Sequence, residues 1–122
     1  MNDDPIAFLE RVLNDAETGR DAYEPAEWPE VVAAMQAVLE RPRTVARDAL
    51  LVRVFAPGAD LQMAPSPHGP HAMPPRDALR FLALQRLSKE EIEQVRPHLE
   101  RIAAAPEHAG PLRLESARRL RH

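Results

Sequence analysis

A chain of 122 residues with a net charge of -3 has the size of one domain, enough to bury roughly two-thirds of its unfolded surface. It contains no cysteine, which excludes disulfide staples, thiol chemistry and thiolate-bound zinc. Twenty alanines against five aromatic residues (Phe8, Tyr23, Trp28, Phe55 and Phe81) favour close-packed helices over a β-fold.

The first helix is expected from Pro5, with Asp4 as its N-cap and Gly19 as its stop. Ile6, Leu9, Val12, Leu13 and Ala16 form its apolar stripe. Residues 20–25 read as a connecting loop. A second helix opens near Pro29, carries Val31, Val32, Met35, Val38 and Leu39 on one face, and ends at Arg41-Pro42-Arg43. Thr44 can then cap a third helix from Val45 to about Phe55. Leu50 to Phe55 could also be a strand, but no second strand of similar strength is present to pair with it.

Residues 56–74 have no helical pattern and hold Pro57, Gly58, Pro65, Pro67, Gly69, Pro70 and Pro74. So long a loop inside one domain, 1–122, is expected to be mobile or functional. A fourth helix returns at Pro75, and Ala78, Leu79, Phe81, Leu82, Ala83 and Leu84 make it apolar on most sides. Ser88 and Glu91 form a capping box for the fifth helix, where Ile92, Val95, Leu99 and Ile102 share a face and Pro97 is expected to kink the backbone. After a turn from Ala105-Pro106 to Gly110-Pro111, Leu112, Leu114, Ala117 and Leu120 mark a sixth helix. The fold class is therefore all-α, with about six helices.

Charge is unevenly spread. Nine acidic residues lie between Asp3 and Glu30 against Arg11 and Arg20, whereas from Arg76 onward ten basic residues oppose seven acidic ones. The cations ending the last helix complement its dipole. Arg113, Arg118, Arg119 and Arg121 are also the candidate contacts for an acidic protein partner. This charge is sparser than a nucleic-acid face normally carries. No apolar run approaches the ~20 residues of a membrane span, and the acidic start does not resemble a secretory signal. A cytoplasmic protein is expected. Fifteen arginines against the single Lys89 suggest a GC-rich, bacterial coding sequence.

The last two helices resemble a HEAT-type repeat. The carrying residues are Pro97, Leu99, Ile102 and Pro106, followed by Leu112, Arg113, Ser116 and Leu120. An echo lies sixty-four residues earlier, in Val31, Met35, Val38 and Pro42, followed by Ala46-Arg47, Leu50 and Val54. The turn before Leu112 is longer than the family's usual one, and the earlier helix lacks the internal proline. The resemblance implies a short α-solenoid, as against a compact helical bundle, and a scaffold or adaptor that binds proteins on a helical face.

Catalytic chemistry is not evident. Ser66 falls in the proline-rich loop, Ser88 is a cap, Ser116 suits close helix packing, Tyr23 stands alone, and the four glycines are scattered at turns. No cofactor is implied. The alternative is a small-ligand or metal-binding protein that uses the loop: Met63, His68, His71 and Met73 could bind a metal, with the two histidines as its core. Pro67 and Pro70 also make one PxxP spacing, for which a linker is the plainer account. His98 and His108 are expected to be exposed or helix-terminal rather than ligands. The reading reached is a non-enzymatic helical interaction module of adaptor, regulatory or inhibitor type.

Overall fold

The computed structural model describes residues 4–18, 28–58, 75–108 and 110–121. They form six α-helices, and no strand occurs among them. These are α1 (Pro5–Thr18), α2 (Trp28–Glu40), α3 (Val45–Phe55), α4 (Pro75–Leu84), α5 (Lys89–Ala104) and α6 (Gly110–Leu120). Leu50 to Phe55, readable as a strand, is the second half of α3.

Local chemistry explains the helix starts. Asp4 Oδ1 accepts from the Ile6 amide at 2.8 Å, and Thr44 Oγ1 accepts from Arg47 N at 3.1 Å. The box at α5 is complete: Ser88 Oγ takes the Glu91 amide, and Glu91 Oε1 takes the Ser88 amide. Pro97 is carried on the exposed side of α5.

The helices pack alternately. α1, α3 and α5 contact in sequence and form one layer; α2, α4 and α6 form the other, and the layers meet through α1–α2, α3–α4 and α5–α6. Side-chain contacts set the directions. Arg41, just past α2, pairs with Asp4 at the start of α1, so these helices are antiparallel. Arg53, late in α3, reaches Asn14 and Glu17, late in α1, and Arg43, before α3, reaches Glu90 at the start of α5. The first layer is thus parallel. Arg119, late in α6, reaches the carbonyl of Leu84 at the end of α4, so those two run together in the second layer. The result is three antiparallel hairpins side by side. The hairpin frame differs from the sequence echo, which paired α2 with α3; those two make at most marginal contact.

One apolar cluster draws on all six helices, including Leu13, Met35, Phe55, Leu79, Leu99 and Leu112. The expected stripes of α1, α2 and α5 are buried, with Ile6 and Val32 only half so. Two helices depart from expectation. In α4 the inward face is Arg76, Asp77, Leu79, Arg80, Ala83 and Leu84, and Phe81 and Leu82 are half-buried on the other side. In α6 Leu112 and Ser116 face inward while Leu114 is 73% exposed.

Candidate interaction face

A helix end inside a protein must find partners for its last carbonyls. No glycine follows α2, α3 or α4 directly, and arginines of later helices serve their last carbonyls instead. Arg47 of α3 donates from Nε to the Val38 carbonyl at 3.0 Å and from Nη2 to that of Leu39 at 3.4 Å, closing α2. Its remaining nitrogen, Nη1, binds the Glu91 carboxylate, so one guanidinium joins α2, α3 and α5. Burial works to raise the Glu91 pKa, but the Arg47 and Ser88 contacts outweigh it and hold the carboxyl below its ordinary value. Arg119 donates to the Leu84 carbonyl at 2.6 Å and to that of Leu87.

The end of α3 takes three guanidinium groups. Arg76 donates to the carbonyls of Arg53 (2.8 Å), Val54 and Ala56. Arg80 donates to those of Val54 (2.8 Å) and Ala56 (2.9 Å), and Arg101 to that of Phe55 (2.8 Å). Gly58 makes room: a Cβ there would lie 2.7 Å from Arg76 Nη1. Asp77 accepts from Arg80 at 2.9 Å and from His108 Nδ1 at 2.9 Å. Arg101 donates to His98 Nδ1 at 3.0 Å, which requires a neutral imidazole. Burial first, then the charges of Arg101 and Arg80, push the His98 pKa down.

An Asp–His pair can orient an imidazole for base catalysis, but it needs a group to act on. Among the described residues, no hydroxyl bonds to His108. Thr18 donates to the Asn14 and Asp15 carbonyls, Thr44 and Ser88 are caps, and the Ser116 hydroxyl is buried in α6 without a partner. The cluster completes the end of α3. His98 and His108 border this cluster half-buried, His98 on Arg101 of its own helix and His108, in the turn after α5, on Asp77 at the start of α4.

The four candidate arginines separate. Arg119 is turned inward as a helix cap, so its guanidinium is spent on carbonyls. Arg118 is exposed and bonds Glu115 at 2.6 Å. Arg121 is exposed, with one bond to the Ala117 carbonyl. Arg113 is half-buried, and its Nε has no partner. Met63, His68, His71 and Met73 lie outside the described residues, among which no group of three acidic, histidine or cysteine side chains could hold a metal. No described helix is long and apolar enough to cross a membrane.

The sequence marks Arg47 only as part of the repeat echo and does not single out Arg76, Arg80 or Arg101. The available signal was a set of helix ends followed by Arg41, Ala56 and Ala105 rather than glycine, in a chain that uses arginine almost exclusively as its cation.

Two outer faces remain. On the first layer, Val45 (88% exposed), Ala49 and Val52 line α3, but the charges beside them are paired: Arg43 with Asp48 and Glu90, Arg53 with Glu17. On the second layer, charge is segregated. α2 shows Glu30, Ala33, Gln36 and Glu40, and neither glutamate is ion-paired among the described residues. α4 shows Ala78, Phe81, Leu82 and Gln85 at i, i+3, i+4, i+7. α6 shows Pro111, Leu114, Arg118 and Arg121; Arg118 is bonded to Glu115 of its own helix, and Arg121 has no acidic partner among the described residues. An acidic rim, an apolar strip and a basic rim therefore lie side by side. The chain matches no protein-family model, no curated protein and no solved structure.

Proposed function

We propose that this protein is a non-enzymatic helical interaction module that engages a protein partner through the outer face of α2, α4 and α6. The carrying observation is the segregation of that face into a rim with Glu30 and Glu40, a strip with Phe81 and Leu82, and a rim with Leu114, Arg118 and Arg121. Interfaces use apolar centres for affinity and charged edges for orientation and association rate. α5 and α6, the pair that carries the HEAT-type resemblance best, pack as one hairpin, and proteins of that repeat type bind partners on helical faces, which supports the adaptor reading. The buried arginines of α3, α4 and α5 have a sufficient structural use in closing helix ends.

The test is photo-crosslinking in the native cell from a reactive residue placed at Phe81, Leu114 or Val45. Phe81 and Leu114 are expected to give the same discrete protein product, and Val45 on the opposite layer none. Products from Val45 alone, or no product from any position, would reject this face.

A further inference from the structure

Resting on that reading, we propose that the α2–α4–α6 face binds a second copy of this chain in a two-fold dimer whose axis runs parallel to α4. A two-fold contact brings the same patch together from both subunits, so the patch must complement itself. With the axis along α4, rotation carries the acidic α2 rim of one copy onto the basic α6 rim of the other. The apolar strips of the two α4 helices then meet at the axis. A two-fold axis across the helices would instead set Glu30 and Glu40 against their own copies, a like-charge clash.

Rotation about an axis along the helices preserves position along them, and α2 and α6 run in the same direction, so the C-terminal ends of the two rims, at Glu40 and Arg121, come to the same end of the dimer. At 1.5 Å per residue, Glu40 lies about 18 Å from the start of α2, and Arg121 about 17 Å from the start of α6. Three helices about 10 Å wide and ~16 Å long project only about 500 Å² per copy. A standard interface buries about 800 Å² per partner, so the dimer is weak and concentration-dependent.

The test combines mass and charge exchange. By sedimentation from about 5 to about 500 μM, the mass is expected to rise from 13.7 kDa toward twice that value, less so at high salt. Glu30→Arg with Glu40→Arg makes both rims basic; Arg118→Glu with Arg121→Glu makes both acidic. Each variant alone is expected to weaken self-association at least tenfold. An equimolar mixture of the two is expected to dimerise as well as the wild type or better, because every rim then meets its opposite. The chain has no cysteine, so Gln85→Cys near the axis is expected to form a disulfide dimer on mild oxidation and Val45→Cys is not. Circular dichroism checks that each variant is folded. A wild type that stays at 13.7 kDa throughout, together with a monomeric mixture, overturns the dimer. If the crosslinks at Phe81 and Leu114 then capture a different protein, the interaction reading survives that loss; without them, both fall.

Discussion

At the scale of single residues, arginine side chains do what helix-terminal glycines usually do. Arg47 is the sharpest case, since it is buried and serves two carbonyls and a buried carboxylate. Arg47→Met removes one partner of a buried pair and is expected to cost about 3–5 kcal/mol in urea denaturation. Arg47→Lys should also be destabilising, because a point charge on a flexible stem cannot reach three acceptors that a planar fork spans. A neutral lysine variant would count against the fork. The pH response follows from the same contacts. The folded-state pKa of Glu91 is lowered, so its contribution to stability is present above the ordinary value of 4.5 and is lost as pH falls through the folded value. Unfolding midpoints should therefore fall on the acid side, and Glu91→Gln should flatten that limb. His98 is lowered from 6.5 as well; the unfolded chain takes up that proton first, so stability declines as pH drops below 6.5 and His98→Gln removes this component. The caps at Asp4, Thr44 and Ser88 were readable in sequence because each reaches only two or three residues along the chain. Arg47 was not, since its carboxylate lies 44 residues away.

At the scale of elements, α4 shows what periodicity leaves open. Its sequence offers two apolar arcs, Leu79 with Ala83 and Leu84, or Ala78 with Phe81 and Leu82. The first arc is buried, because that rotation also brings Arg76 and Arg80 to the carbonyl end of α3. Leu79→Ala should therefore cost ~2–5 kcal/mol, whereas half-buried Leu82→Ala should cost under about 2 kcal/mol. Equal losses would show that the helix is turned the other way. On α6, Leu114→Gln is expected to leave stability within about 0.5 kcal/mol, since that side chain lies on the surface. A loss of several kcal/mol in the isolated chain would put Leu114 in a core after all.

At the scale of the whole molecule, the arginine links cross between hairpins. Arg47 ties the first hairpin to the second and third, and Arg119 ties the third to the second. Together with one apolar cluster spanning six helices, this makes independent melting of a single hairpin costly. Urea unfolding followed by the fluorescence of Trp28, the only tryptophan, and by helical circular dichroism should give coincident transitions. An earlier transition of the Trp28 signal would show that α2 detaches alone.

The helix count, five of the six helix starts to within a residue, and three of the apolar stripes follow from the sequence by itself. Capping and amphipathic spacing are short-range: a side chain reaches its own turn, and a stripe repeats every three or four residues. Only the tertiary structure decided which arc of α4 faces inward, that Arg119 is a cap while Arg118 and Arg121 stay outside, and that α2 and α6 flank α4 with opposite charge. Each depends on helix ends brought together from distant parts of the chain. A buried guanidinium is favourable only where another helix supplies carbonyls to receive it, and no local pattern records where that helix will lie.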